Sequence, residues 1–220
     1  MLHAEDLSLS YGATVALAGA SATVARGEIV ALVGQSGSGK TSMLYCMAGL
    51  LRPSAGRVRY GENDVTSMKP EELAALRRAR FGFVFQSAEL VPELSLRENI
   101  SLPLELLRVP ARDRRRRVDE LIERLGLTGQ AARRPALVSG GQAQRAAVAR
   151  AIAHRPEVVF ADEPTGSVDS ANGTAILDAF VTLARENGTA VALVTHDPGI
   201  AARADRVVEL RDGRNAGAAR

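Results

Sequence analysis

The segment Gly34-Gln35-Ser36-Gly37-Ser38-Gly39-Lys40-Thr41 has the residue types and spacing of a phosphate-binding loop, G-x-x-x-x-G-K-[ST]. Glycines at these positions let backbone N–H groups close around phosphate oxygens. Lys40 is placed to reach the outer phosphates as a point charge, and Thr41 to offer its hydroxyl to an accompanying magnesium ion. A second group of chemical residues ends the apolar run Val158-Val159-Phe160-Ala161, where Asp162 and Glu163 follow in sequence. Carboxylates at the carboxyl end of a buried parallel strand stand where open α/β sheets place their ligands. Asp162 suits a magnesium ion, held directly or through water. Glu163 suits the polarisation of an attacking water beside the terminal phosphate.

These groups need elements to position them. Glu28-Ile29-Val30-Ala31-Leu32-Val33 is apolar and short enough for a buried strand ahead of the glycines. Ser42-Met43-Leu44-Tyr45-Cys46-Met47-Ala48 can begin a helix behind them, and that helix N-terminus adds partial positive charge to the loop. Ala190-Val191-Ala192-Leu193-Val194 is another candidate core strand. Leu7 to Val24 alternates in polarity and carries the turn residues Gly12 and Gly19, which predicts antiparallel strands. Val118, Leu121, Ile122 and Leu125 recur at helical spacing before Gly126, predicting an amphipathic helix with a glycine stop. Arg112 and Arg114 to Arg117 open this helix and read as a solvated face or as a contact for anionic lipid headgroups at the cytoplasmic surface. Asp212-Gly213 after Val207 to Leu210 predicts a terminal hairpin, and the residues beyond it a frayed tail.

Val138-Ser139-Gly140-Gly141-Gln142 precedes an alanine-rich segment of high helix propensity, Ala143 to Ile152. Ser-Gly-Gly at a helix start is a second anion site in the same chain. At this point the chain resembles the ATP-binding-cassette ATPases, whose signature is Leu-Ser-Gly-Gly-Gln. The remaining motifs of that family follow in order over nearly the whole chain. Tyr11 matches the aromatic that stacks on adenine. Gln86, in Phe83-Val84-Phe85-Gln86, matches the Q-loop. Ser167-Val168-Asp169 matches the D-loop, and His196, in Val194-Thr195-His196-Asp197, the switch histidine. Val138 and Val168 stand where the family commonly has leucine, both conservative apolar changes.

The resemblance implies an α/β fold: a P-loop core with a mostly parallel sheet, an N-terminal antiparallel β subdomain and a helical insert. One cassette domain is expected over residues 1–220, with the core at about 1–86 and 150–220 and the insert at about 87–149. Residues 28–86 and 157–210 are expected to build the parallel core. The implied cofactors are ATP and Mg²⁺. Gly34 to Ser42 (Gly34, Gln35, Ser36, Gly37, Ser38, Gly39, Lys40, Thr41, Ser42) and Tyr11 would hold one ATP. Ser139, Gly140, Gly141 and Gln142 would grip the ATP of a second copy, closing a homodimer head to tail. Thr41, Gln86 and Asp162 would surround the metal and Glu163 would act as general base. His196 would contact the γ-phosphate, and Asp169 would couple the two sites.

Ala161-Asp162-Glu163-Pro164-Thr165-Gly166, Glu93 to Ile100 and Leu102-Pro103-Leu104 resemble one branch of the family, the lipoprotein-releasing, macrolide-exporting and cell-division ATPases. Members of that branch work with a membrane permease. The other reading is a soluble cassette ATPase serving assembly or repair. Leu90, Val91, Leu94 and Leu96 are more apolar than an exposed connector needs. They would either pack the insert or receive the permease.

Composition agrees with an α/β protein. Hydrophobic residues make 46% of the 220, enough for a sizeable core, and aromatics only 4%, so aliphatic packing must fill it. The single cysteine, Cys46, excludes an intrachain disulfide and reads as a small buried hydrophobe. With 28 basic and 25 acidic residues, the net charge of +3 gives no argument for nucleic acid. The N-terminus lacks a signal-sequence pattern, and no apolar run approaches the ~20 residues that cross a bilayer. A cytoplasmic chain on the inner face of the cell membrane, held there by its permease, is therefore expected.

Overall fold

The computed structural model describes residues 1–166 and 170–216. In chain order the elements are β1 (Leu2–Tyr11), β2 (Thr14–Val24), β3 (Ile29–Val33), α1 (Lys40–Met47), β4 (Ala55–Tyr60), β5 (Asn63–Asp64) and α2 (Pro70–Arg80). There follow β6 (Phe81–Val84), α3 (Leu96–Leu106), α4 (Ala111–Arg124), a 3-10 turn at Pro135–Leu137, α5 (Gly140–Ile152) and β7 (Val158–Asp162). The chain continues through α6 (Ser170–Asn187), β8 (Ala190–Val194), α7 (Pro198–Ala201), β9 (Arg206–Arg211) and β10 (Arg214–Asn215). It divides into two compact units, Met1–Arg77 with Ala190–Arg220, and Arg78–Thr189.

In the first unit β3 pairs in parallel with β8, Ile29 opposite Val191, and with β9, Val30 opposite Arg206. Ile29 to Leu32 and all of β8 are buried, the continuous apolar run of a strand covered on both faces. The expected hairpin is present: Arg211 pairs with Arg214, and both loop residues, Asp212 and Gly213, have positive φ (49° and 74°), as a two-residue turn of matching twist requires. β1 pairs antiparallel with β2 as expected. It also pairs with β4, Leu2 opposite both Val24 and Tyr60. Residues 55–64 therefore do not join the parallel core as expected. Buried Val58 and Tyr60 alternate with exposed Arg57 and Arg59, a period-two pattern that suits a sheet with one wet face.

In the second unit β6 and β7 form a parallel pair, Phe81 opposite Val158 through Val84 opposite Ala161. The rings of Phe81 and Phe83 pack on Phe160 at centroid distances of 5.1 and 5.7 Å. α3 begins with a capping box between Ser95 and Glu98, and α4 buries Val118, Leu121 and Ile122 as its spacing predicts. Three arginines of α4 are answered on their own helix, Arg115 by Asp119, Arg116 by Asp113 and Arg117 by Glu120. Arg115 and Arg116 form a solvated, paired face, whereas Arg117 departs from that expectation: its side chain is only 11% exposed and donates to the Ala153 and Ile152 carbonyls. β6 and β7 lie in the same compact unit as the helical segment.

Candidate active site

The expected site residues are divided between the two units. The first carries Tyr11, the loop Gly34 to Ser42, and His196. The second carries Gln86, Ser139 to Gln142, Asp162 and Glu163. Ser167, Val168 and Asp169 lie outside the described residues.

The glycine loop runs from the end of β3 into α1, as its flanks predict. Gly39 is the N-cap of α1, at φ 98° and with no side-chain cap. The first N–H groups of the helix thus point into the loop without intrahelical acceptors, which is the requirement of an anion site. Neighbours fix the loop from outside. A Cβ on Gly34 would lie 2.2 Å from the Leu210 carbonyl, and one on Gly39 2.3 Å from the Ala16 carbonyl. Gly213 N–H donates to the Ser38 carbonyl at 3.1 Å. β2 and the β9–β10 hairpin therefore form the walls of the loop.

Lys40 is 7% exposed, and its ammonium donates to the Gln35 carbonyl at 2.7 Å. A buried charge needs such a partner, and the chain itself provides it. The exposed Tyr11 ends β1 with its hydroxyl 3.4 Å from Ser42 Oγ, so the ring stands beside the first turn of α1. Cys46 is buried in the same helix, and burial pushes its thiol up to about 11.

His196 follows buried Thr195 at the carboxyl end of β8, in exposed chain. Asp197 takes its N–H bond to Thr195 Oγ1 and accepts from Gly199 N–H at 2.7 Å, capping α7. His196, Gly34, Gln35 and Ser36 line one cavity of about 660 Å³. The structure thus brings the switch-type histidine to the mouth of the phosphate loop.

In the second unit β7 is buried throughout, Asp162 included. Glu163, the next residue, has φ 44°. A β-carbon residue in this region carries strain of about 1–3 kcal/mol, a feature concentrated at functional sites. Gly166 N–H returns to the Glu163 carbonyl at 2.9 Å and closes a tight turn. The carboxylate oxygen Oε2 of Glu163 and Nε2 of Gln86 both approach the α-carbon of Gly166, so that a Cβ there would sit 3.2 and 3.3 Å from them. Glu163 and Gln86 therefore converge on one point.

Ser139 caps α5. Its Oγ accepts from Gln142 N–H at 3.3 Å, and Gln142 Oε1 accepts from Ser139 N–H at 3.0 Å. This reciprocal box leaves the hydroxyl proton of Ser139 free of that bond. It also leaves Gly140 and Gly141 N–H without an intrahelical acceptor. Ser139 and Gly140 are exposed.

Sequence reasoning missed the residues that brace these loops: Ala16, Leu210 and Gly213 in the first unit, Gln144 and Arg150 in the second. The positive φ of Glu163 also gave no signal, because the residue type does not demand it.

The ABC transporter family model matches residues 17–166. The chain belongs to this family. It is 43% identical over 193 residues to the macrolide export ATP-binding/permease protein MacB of Neisseria gonorrhoeae, covering 88% of this chain and 30% of that protein. It is also 43% identical over 213 residues to the pyoverdine export ATP-binding/permease protein PvdT of Pseudomonas putida, covering 94% and 32%. The chain thus spans about 30% of the length of these curated relatives. A solved dimeric post-hydrolysis structure of the ATP-binding cassette MJ0796, bound to ADP and phosphate, superposes with a TM-score of 0.90. The identity is 34% and the coverage 98% of this chain and 97% of that one. The structure of CbiO1 from Clostridium perfringens gives a TM-score of 0.86 at 29% identity, covering 97% and 86%. The fold is that of a P-loop ATPase cassette, and the chain is an ABC ATPase homologous to the ATP-binding parts of export transporters. The transporter reading fits these relatives, and the assembly or repair reading does not. No helix among the described residues is long and apolar enough to cross a membrane.

Among the described residues no group of three or more His, Cys, Asp and Glu could hold a metal ion by itself. Asp162, at the end of β7, is an oxygen donor of the kind magnesium takes, one or two protein oxygens with phosphates and water completing the shell. Nucleotide fits the uncapped α1 and the glycine cradle.

Proposed function

We propose that this chain binds ATP with Mg²⁺, hydrolyses it to ADP and phosphate, and powers a separate integral membrane permease of the export or mechanotransmission type. The observation that carries this is the phosphate loop, an uncapped helix N-terminus walled by Ala16, Leu210 and Gly213 with Lys40 folded over it. The cassette is one domain, with its core at about 1–86 and 150–220 and its helical subdomain at about 87–149. Docked to its permease, it would work on the inner face of the membrane.

Tyr11 stacks on adenine. The N–H groups of Gly34 to Ser42 take the phosphates, and Lys40 exchanges the Gln35 carbonyl for the outer phosphate oxygens. Thr41, Gln86 and Asp162 would hold the magnesium, whose chemistry when bound would be to offset the negative charge on the phosphoryl oxygens. Glu163 accepts a proton from the water that attacks the γ-phosphorus, and the bond to the ADP oxygen breaks. His196 steadies the γ-phosphate. Catalysis of this kind is mostly positioning and electrostatics, so a base held by backbone strain beside Gln86 supports the role of Glu163.

Two copies close head to tail, each presenting Ser139, Gly140, Gly141 and Gln142 to the other's γ-phosphate, with Asp169 linking the sites. The capping box supports this: Ser139 keeps its proton to donate, and the Gly140 and Gly141 N–H groups have no acceptor within the helix. Dimeric relatives of the same fold support it as well. In sedimentation, ATP should shift the Glu163→Gln variant from monomer to dimer, and ADP should not, because only ATP distinguishes the closed state. That variant should hydrolyse about 10²–10⁴-fold more slowly than the unmodified chain, the usual loss for a general base. Full-rate hydrolysis by Glu163→Gln would overturn the assignment. Ser139→Arg should block dimer formation, and normal dimerisation by it would remove the signature role.

A further inference from the structure

β6 ends at Val84, whose pairing with Ala161 is the last rung of the ladder. The next carbonyl, that of Phe85, belongs to the same peptide plane as the N–H of Gln86. It accepts a bond from Gln144 Nε2 at 3.0 Å. Three and four residues further on, the carbonyls of Ala88 and Glu89 accept from Arg150 Nη2 at 2.9 Å and Nη1 at 2.6 Å. Glu89 itself has φ 46°, a backbone conformation that persists only under external constraint. Both donors stand on α5, the helix whose N-terminus is Ser139. α5 also lies directly on β6, since a Cβ on Gly82 would meet the Ala151 carbonyl at 2.2 Å.

Gln144 is 1% exposed, and among the described residues its Oε1 has no hydrogen-bond partner. The amide orientation is nevertheless determined. Turning it over would set oxygen against the Phe85 carbonyl, two acceptors face to face. A simple core position would be better filled by leucine or methionine, because a buried unsatisfied oxygen is costly. What the amide provides is a fixed donor to the one peptide that aims Gln86.

We propose that Gln144, supported by Arg150, is a positioning residue for ATP hydrolysis: it clamps the Phe85–Gln86 peptide so that the Gln86 amide stays beside Glu163. The proposal rests on the role of Gln86 given above. It makes α5 a rigid link between the signature at its N-terminus and the segment at 86–89, joined by side-chain bonds to backbone.

A double-mutant cycle tests this on the full chain. Gln144→Met keeps length and volume and removes the donor. Misplacing a reacting group by about 1 Å costs up to about 100-fold, and lost supporting contacts about 10–100-fold. We expect kcat to fall about 10-fold or more by those precedents, with the KM for ATP within about 2-fold, since no nucleotide contact is removed. The Mg²⁺ concentration for half-maximal hydrolysis should rise. Gln86→Ala should show the same pattern, and the double variant should be no slower than Gln86→Ala alone.

Gln144→Glu provides a second readout if Gln144→Met does not fold. A neutral carboxyl can donate to the Phe85 carbonyl and a carboxylate cannot, and burial raises such a pKa. Its activity relative to the unmodified chain should therefore recover as pH falls from about 8.5 to about 6.

If Gln86→Ala is slow while Gln144→Met is not, or if the two losses multiply, the positioning role is overturned and the Gln86 role stands. A flat pH ratio for Gln144→Glu also overturns it. If Gln86→Ala hydrolyses at the normal rate, the role of Gln86 falls and the clamp falls with it.

Discussion

Replacing Gly39 by alanine tests whether the phosphate loop is walled by its neighbours or merely flexible. Two costs add at this position. The backbone sits at φ 98°, where an L side chain costs about 1–2 kcal/mol. The new Cβ would also stand 2.3 Å from the Ala16 carbonyl and 3.1 Å from a methyl of Leu17. Both are on β2, with Leu17 buried and Ala16 half-buried, and the strand is held by its pairing with β1 and by the Ala18 N–H bond to the Gly213 carbonyl, so it cannot retreat cheaply. Such overpacking typically costs about 1–3 kcal/mol. The total of about 2–5 kcal/mol is a large share of an ordinary domain's stability of about 5–15 kcal/mol. Gly12 and Gly37 isolate the first cost, because they have φ of 59° and 80° with nothing within 4 Å of an added Cβ. Urea unfolding of the nucleotide-free protein should give losses of about 1–2 kcal/mol for Gly12→Ala and for Gly37→Ala. Gly39→Ala should lose about 1–3 kcal/mol more than either. If Gly39→Ala is no less stable than Gly12→Ala, the wall formed by Ala16 is not rigid and the cradle argument fails.

Three further outcomes are expected. Cys46, buried and with its thiol pushed up to about 11, should resist maleimide at pH ~8 in the native protein and react in denaturant; fast native labelling would contradict its burial. Burial tends to raise the pKa of Glu28, but its bonds to Arg206 and to the Ala25 N–H win and hold it below the usual carboxylate range. Its stabilising contribution is therefore present above the ordinary carboxylate pKa and lost as pH falls through the lowered value, so Glu28→Gln should lower the urea midpoint at neutral pH and make no difference near pH ~3. Leu96 is fully buried at the start of α3, whereas Leu90 and Leu94 are half-buried. Leu96→Asp should unfold the helical segment by circular dichroism. Leu90→Asp and Leu94→Asp should stay folded with normal ATPase activity and lose permease co-purification, and retained co-purification would exclude docking there.

The elements that carry chemistry were legible because their signals are local. The apolar runs at β3, β7 and β8, the glycines before α1 and the serine before α5 each announce their structure within a few residues. β4 was misplaced because its neighbours in sequence are parallel-core elements, while its partner in space is β1, some fifty residues earlier. Its alternation of Arg57, Val58, Arg59 and Tyr60 was the available clue. The contacts that stiffen the site were not legible at all. Gly213 reads as a turn residue, yet its N–H holds Ser38 across more than half the chain. Gln144 and Arg150 read as polar positions of a helix, yet they hold carbonyls about sixty residues away. Local periodicity cannot report a bond between a side chain and a distant backbone carbonyl.

The hairpin wall has a practical meaning for anyone who trims or fuses this cassette. Residues 211–214 look like a dispensable appendix, a short turn near the carboxyl end. They are the buckle of the phosphate loop, since Gly213 clasps Ser38, accepts from Ala18 N–H through its carbonyl, and lies against Ala16. A cut just before this turn would remove no residue expected to touch ATP, yet would leave the loop open along one side. A graft placed after residue 216 spares every one of these contacts.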